Sequence, residues 1–257
     1  MVSGFESFRE KFRGYEDCYT IIGGTACDIL MNEAGLDFRA TKDIDMILLI
    51  EERFAEFAAV FWDYIKDGGY KCGWKSSEAP HFYRFTEPQT AGYPVMIELF
   101  SRRPDFQIDH PEIHLTPLPV SDEISSLSAI MMDDNYYRLM LAGRRTVDGV
   151  SVLGAEYLML FKMKAWLDLR QKKADGAHVN ERDLKKHKND VFRLFPLVEP
   201  SAQIVISSAV EADVKQFIDA MKREPVDIQK LGVEGMPLEE ILRALDRMFS
   251  ASPQEHK

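Results

Sequence analysis

The feature that most constrains this chain is the tripeptide Asp43-Ile44-Asp45, which stands directly before the apolar run of residues 46–50. The length and β-branched content of that run favour a buried strand, and side chains two residues apart on a strand point to the same face. Two carboxylates held this close repel each other, so they stay ionised only beside cations. Oxygen ligands at this spacing suit Mg²⁺ that is carried with substrate phosphates. The pattern therefore predicts a metal site that handles phosphate.

A second pattern lies upstream and predicts an anion-binding turn. Residues 19–22 are typical of a short strand, Gly23 and Gly24 follow it, and residues 26–34 predict a helix that Gly35 ends. A strand, two glycines and a helix N-terminus together leave backbone N–H groups that can bind an anion.

Taken together, these elements resemble the signature of the nucleotidyltransferase superfamily, and in particular its AbiEii-type branch of abortive-infection and type IV toxin–antitoxin proteins. The resemblance rests on Gly23-Gly24-Thr25, a short helix, and residues 39–45 before an apolar strand. It implies an α+β fold, in which a mixed β-sheet flanked by helices is followed by a mostly helical C-terminal domain. It also implies that the two aspartates are catalytic and hold one or two Mg²⁺ ions, while the Gly-Gly-Thr backbone binds the triphosphate of an NTP.

Glu98 is the acidic residue in the predicted strand of residues 94–100, and its position allows two readings. A carboxylate in an apolar strand either points outward from an edge strand or faces the Asp pair as a third metal ligand or general base. The residues alone favour the edge strand slightly. The resemblance favours the second reading, because members of the superfamily place a third acidic residue, often Asp, on a later strand beside the pair. We therefore expect Glu98 to be catalytic and to bind metal.

The resemblance assigns two further residues to nucleotide binding. Lys162 falls in the buried stripe of a helix predicted over residues 154–172, so it either extends to the rim or faces an anion in a cleft. In AbiEii-type proteins a similar helix, Leu-x-x-x-Lys-x-x-Ala, puts this lysine at the nucleotide. Asp190, on a helix that Asn180 caps, resembles the second acidic residue of the family's C-terminal motif; the alternative for it is a solvated helix face. His187 stands at the position of the first acidic residue.

Proline placement predicts the domain organisation of the chain, and its charge bears on possible partners. Residues 101–122 contain four prolines and predict an extended connection, so we expect a catalytic nucleotidyltransferase domain over 1–115 and a mainly helical domain over 116–257. The formal net charge of −10 argues against indiscriminate binding to nucleic acid, although residues 185–188 form a local basic patch.

Cysteine use and hydropathy bear on the compartment. The three cysteines form no CxxC pair, so neither a disulfide framework nor a thiolate zinc site is expected, and a reducing cytoplasm is the expected location. The first residues lack an apolar core of signal-peptide length, and no later run approaches ~20 apolar residues. We therefore expect neither export nor membrane insertion.

The expected activity is transfer of a nucleoside monophosphate from a Mg-NTP to an acceptor hydroxyl. The AbiEii-type resemblance implies tRNA or another RNA as acceptor, with a possible cognate antitoxin as partner. A small cationic acceptor of the aminoglycoside type is an alternative that suits the acidic balance of the chain. An alternative of another class is a catalytically silent, nucleotide-binding regulatory protein.

Overall fold

The computed structural model describes residues 2–49, 53–74, 82–100, 115–117, 130–131 and 133–251, and side chains within them except those of residues 54, 72–74, 82 and 115–117. The chain forms two compact units. The first comprises Met1–Ser121 and Arg144–Gly154, and the second comprises Asp122–Gly143 and Ala155–Lys257. The division expected from the sequence, with one boundary after residue 115, does not include the return of Arg144–Gly154 to the first unit.

The first unit contains the β-sheet. Its helices are α1 (Phe5–Lys11), α2 (Gly23–Glu33) and α3 (Phe54–Gly68). Its strands are β1 (Tyr19–Ile22), β2 (Asp43–Leu48), β3 (Lys71–Trp74), β4 (Phe82–Thr86), β5 (Met96–Phe100), β6 (Leu115–Pro117), β7 (Arg144–Val147) and β8 (Val150–Leu153). In the described ranges these eight strands form one sheet in the order β6-β3-β4-β5-β2-β1-β8-β7.

The sheet is mixed. Strand β2 pairs antiparallel with β1 and parallel with β5, and β4 and β5 form an antiparallel hairpin. Strand β8 runs parallel to β1, so the β7–β8 hairpin extends the sheet from the first part of the chain. This pairing is the reason that Arg144–Gly154 belongs to the first unit. The predicted α+β class, with a mixed sheet flanked by helices, is confirmed.

An aromatic core covers one face of this sheet. The ring of Tyr19 on β1 lies 5.7 Å from that of Phe8 on α1 and 6.0 Å from that of Phe57 on α3. The ring of Phe61, one turn further along α3, lies 5.4 Å from that of Phe85 on β4, so this apolar side of the helix is part of the core. Because side chains alternate between faces, the residues next to Tyr19 and Phe85 in each strand point to the opposite face.

The second unit is mainly helical, as predicted. Its helices are α4 (Asp134–Ala142), α5 (Ala155–Ala174), α6 (Glu181–Leu194), α7 (Ser208–Arg223) and α8 (Leu238–Met248), and strands β9 (Ile204–Ile206) and β10 (Phe249–Ala251) pair in parallel. Asn180 caps α6, since its side chain accepts a hydrogen bond of 2.9 Å from the Arg182 N–H. Among the described residues there is no helix whose length and apolar character would let it span a membrane.

Candidate active site

Three carboxylates lie on the sheet face opposite the aromatic core. Asp43 and Asp45 share a face of β2, and Glu98 on β5 is the register partner of Asp45. Neighbouring strands are about 4.8 Å apart, so Asp45 and Glu98 stand side by side. Asp43 and Asp45 are half-buried and Glu98 is buried. The expectation that Glu98 faces the Asp pair is therefore supported by the strand register.

The carboxylate of Asp45 packs directly against the backbone of Gly23. Gly23 has a φ of +71°, and a Cβ added to it would lie 2.0 Å from Asp45 Oδ2 and 2.9 Å from Asp45 Cγ. No side chain fits there while Asp45 keeps its position. The first residue of α2 is therefore a glycine for two reasons: the left-handed backbone and the carboxylate that occupies the place of a side chain.

Gly24 and Thr25 tie the start of α2 to the segment that leads into β2. A Cβ on Gly24 would meet Thr41 Oγ1 at 2.7 Å, so this segment also lies against bare backbone. The hydroxyl of Thr25 donates a hydrogen bond of 2.5 Å to the carbonyl oxygen of Asp43. The predicted Gly-Gly-Thr turn and the predicted Asp pair are thus one local structure, held together by backbone contacts.

Glu98 is held by an arginine that the sequence reasoning missed. Arg84 on β4 is the register partner of Glu98, and its Nε and Nη2 lie 2.6 Å and 2.5 Å from Glu98 Oε1. Both contacts use the same carboxylate oxygen. The ion pair gives this carboxylate, which is 6% exposed, a cationic partner within the sheet. The alternative of an outward-pointing edge residue is wrong, because β5 lies between β4 and β2.

These residues can be tested against a magnesium site. Mg²⁺ is usually bound through one or two protein carboxylates together with substrate phosphates and water. Asp43 and Asp45 match that requirement, since both are half-buried on one face next to the start of a helix. Within the described ranges, no group of three His, Cys, Asp or Glu side chains is arranged to hold a metal ion. The role of Glu98 as a third metal ligand stays a prediction. It requires that the Glu98 carboxylate bind the metal ion and Arg84 at the same time.

Lys162 and Asp190, the two residues predicted in the helical unit, form a buried ion pair. Lys162 Nζ lies 3.2 Å from Asp190 Oδ2, and the side chains are 4% and 0% exposed. Asp190 Oδ1 also lies 3.1 Å from Arg193 Nη1. The alternatives of a lysine that reaches the rim and of a solvated face around Asp190 are therefore wrong. Lys162 does face an anion, and within its own unit that anion is Asp190.

Lys164, two residues further along α5, behaves as its spacing predicts. Its Nζ lies 3.3 Å from Asp168 Oδ1, four residues on, and 3.4 Å from Asp213 Oδ2 of α7. Desolvation by burial raises the pKa of Asp168 above its ordinary value, against the lowering effect of Lys164. This cluster packs the helices of the second unit, and nothing in it points to catalysis.

A strand that runs into a glycine turn, a helix N-terminus behind it, and paired carboxylates on the next strand together define an α+β protein with a candidate site for phosphate and metal. The sequence matches no family model and no curated protein sequence.

Solved structures that are similar to the chain include the following three. An antigenic nucleotidyltransferase-like protein from Paracoccidioides brasiliensis has 15% identity and a TM-score of 0.46, over 98% of this chain and 94% of that one. The MgGTP-bound Cid1 poly(U) polymerase has 11% identity and a TM-score of 0.27, over 90% and 91%. A cytoplasmic RNA terminal U-transferase has 10% identity and a TM-score of 0.28, over 90% of each chain. All three scores are below 0.5, so the function has to be inferred from the site's own residues.

Proposed function

We propose that the protein is a nucleotidyltransferase, which moves a nucleoside monophosphate from an NTP to an acceptor hydroxyl. The observation that carries the proposal is the packing of the Asp45 carboxylate against the bare backbone of Gly23. This contact joins an anion-binding helix start to a strand that presents two carboxylates. One carboxylate near a helix start is stabilising in itself, and the second carboxylate on the same face is the one that a bound metal would require.

The chain's own residues have distinct tasks in this proposal. Backbone N–H groups at Gly23, Gly24 and Thr25 bind the β- and γ-phosphates at the start of α2. Asp43 and Asp45 would hold Mg²⁺, which, when bound, offsets the charge of the triphosphate and of the leaving pyrophosphate. The hydrogen bond from Thr25 to the Asp43 carbonyl keeps these two parts of the site in fixed relation. Catalysis is then mainly a matter of positioning and electrostatics.

The transfer step needs an acceptor for one proton. A bond forms between the acceptor oxygen and the α-phosphorus, the α–β bridging bond breaks, and the hydroxyl proton leaves. Glu98 is the proposed proton acceptor, because it stands beside Asp45 and Nε and Nη2 of Arg84 contact its Oε1 rather than its Oε2. Arg84 holds Glu98 in place beside Asp45.

The finer assignment is an AbiEii-like role with an RNA acceptor, tRNA in particular, and a possible antitoxin partner. A small cationic acceptor of the aminoglycoside type remains the alternative, since the net charge of the chain is −10. Lys162 and Asp190 are proposed to serve nucleotide binding. Because both are buried in one ion pair, their contribution would be to position helices α5 and α6 rather than to present a free charge.

A second candidate function is supported by one observation, the Arg84–Glu98 ion pair. If the Glu98 carboxylate stays bound to Arg84 alone, it can neither accept the proton of the acceptor hydroxyl nor bind a metal ion as a third ligand. Such a protein would bind Mg-NTP without turning it over, and a regulatory role would follow.

The test is label transfer from each NTP, labelled at the α-phosphorus, in the presence of Mg²⁺. The acceptors offered are total tRNA, the protein itself and a panel of aminoglycosides, with Asp45→Asn as the matched blank. We expect label on one class of acceptor with the wild type, and background levels with Asp45→Asn, because the variant keeps the shape of the side chain and loses its charge.

Transfer that persists in Asp45→Asn would refute the proposed role of the carboxylate. Thermal stabilisation by Mg-NTP without label on any acceptor would favour the silent, nucleotide-binding protein. Circular dichroism of the variant shows whether the fold is intact in either case.

A further inference from the structure

The second unit contains a cavity that the proposed transfer reaction does not use. Its volume is about 920 Å³, and it lies between helices α5 and α6 and the segment that follows α7. Trp166, Arg170 and Lys173 face it from α5, while Lys185 and Lys188 face it from α6. A volume of this order matches the range of small-molecule sites, roughly 300 to 1,000 Å³.

The lining of this cavity is positively charged in an acidic protein. It includes six cations and three carboxylates. Each carboxylate is paired with one of the cations: Glu224 with Arg170, Glu181 with Lys173, and Asp227 with Lys230. The pairs cancel, so the excess of three positive charges rests on Lys185, Lys188 and Arg193.

These three cations lie along one side of α6. Lys185 and Lys188 form no ion pair within the described residues. Arg193 pairs with Asp190, but Asp190 also serves Lys162, so that triad keeps one net positive charge. Residues 185 and 193 are about 12 Å apart along the helix axis at 1.5 Å per residue. The charge is therefore spread over a length that suits an anion with more than one phosphate group.

Asn189 gives an independent indication of a ligand. Its side chain is 8% exposed and faces the cavity between Lys188 and Arg193, yet its amide makes no hydrogen bond within the part of the chain that the structure describes. The donor and acceptor groups of this amide are therefore open to the cavity, where a ligand or ordered water can satisfy them. The amide can donate to a phosphate oxygen or accept from a hydroxyl group.

The lining favours a compact ligand over a nucleic acid. Single-stranded nucleic acid is held by exposed aromatic platforms as well as by cations, and Trp166, the aromatic residue facing the cavity, is 3% exposed. Three carboxylates in the lining also oppose a continuous phosphate backbone. Arginine and lysine together are the typical partners of phosphate groups.

We propose that this cavity binds a compact organic or inorganic anion with two or more phosphate charges, through Lys185, Lys188, Arg193 and the amide of Asn189. The site lies within the second unit and its occupation does not require nucleotide transfer by the first. The proposal therefore stands or falls independently of the proposed function.

The experiment is calorimetric titration of the full chain with inorganic pyrophosphate and, separately, with a nucleoside diphosphate. Both titrations are done with EDTA, so that the carboxylates of the first unit, without metal, repel the anion. The test variants are Lys185→Gln/Lys188→Gln and Asn189→Ala, and the control is Lys222→Gln, an exposed lysine of the same unit that does not line the cavity. We expect the double variant to weaken binding at least tenfold, about 1.4 kcal/mol, and the control to bind as the wild type does.

The two probes separate the sources of the anion, since tighter binding of the nucleoside diphosphate indicates an organic phosphate. Absence of binding by both probes would overturn the proposal, as would equal affinity in the wild type and the double variant. Binding of an RNA oligonucleotide through the same lysines, without binding of either compact probe, would overturn it in favour of nucleic acid. If the double variant does not fold, the single variant Lys185→Gln is tested instead, because Lys185 is exposed. We expect its affinity for the anion to be at least threefold lower than that of the wild type.

Discussion

Replacing Gly23 by alanine tests the contact on which the candidate site depends. The new methyl group would meet Asp45 Oδ2 at 2.0 Å, while φ at this position stays at +71°. Two costs follow: a left-handed backbone without glycine, and a displaced carboxylate. A control with only the first cost is needed to separate them.

Gly35, two residues beyond the C-terminus of the same helix, provides that control. Its φ is +69°, and a Cβ added there meets nothing within 4 Å. The left-handed conformation of a non-glycine residue costs roughly 1–2 kcal/mol, so Gly35→Ala should lose about that much stability. Overpacking costs a further 1–3 kcal/mol or so, and Gly23→Ala should therefore lose about 2–5 kcal/mol in total.

The free energies of unfolding are measured by urea denaturation, followed by circular dichroism. A double-mutant cycle with Asp45→Ala isolates the clash, because removing the carboxylate leaves only Asp45 Cβ, which lies 3.2 Å from the new methyl group. We expect Gly23→Ala to cost about 1–3 kcal/mol less in the Asp45→Ala background than in the wild type. Nucleotide transfer by Gly23→Ala should fall about a hundredfold, since a shift near 1 Å at a catalytic group costs that much.

Equal losses of stability in Gly23→Ala and Gly35→Ala would refute the packing of Asp45 against the turn. A coupling energy near zero in the cycle would lead to the same conclusion. Full transfer activity in Gly23→Ala, with the stability loss present, would leave the packing intact and refute its role in catalysis.

Two further predictions concern the first unit. Replacing Arg84 by methionine leaves Glu98 buried without its cation, so the free energy of unfolding should fall by about 3–5 kcal/mol. The double variant Arg84→Met/Glu98→Met should recover most of that loss. Urea denaturation measures both variants, and a single variant as stable as the wild type would contradict the ion pair. Burial raises the pKa of the Cys18 thiol to about 11 from 9.0, so the unfolded chain releases this proton first and stability should decline as pH rises from about 9 to 11. Cys18→Ala should lack that decline in melts over the same range, and a wild-type curve parallel to that of the variant would show that another group is responsible.

Local sequence was enough to predict the elements that carry the site. These elements are β1, the Gly-Gly turn, the start of α2 and the strand that begins with Asp43-Ile44-Asp45. Each depends on contacts between residues close in the chain, which the periodicity of apolar residues and the placement of glycines indicate directly. The cap at Asn180 and the Lys164–Asp168 pair were predictable for the same reason. The α+β class was implied by the family resemblance that these elements carry.

Tertiary structure alone decided which charges meet. Arg84 faces Glu98 because the β4–β5 hairpin adopts one register, and a slip of either strand by one residue would have put the two side chains on opposite faces. Lys162 and Asp190 are 28 residues apart and pair only because α5 and α6 pack together. The same packing creates the cavity around Asn189. Such contacts are not encoded in any local pattern, because they depend on the register and packing of elements distant in the chain, and so the partners of the buried charges could be known only from the folded structure.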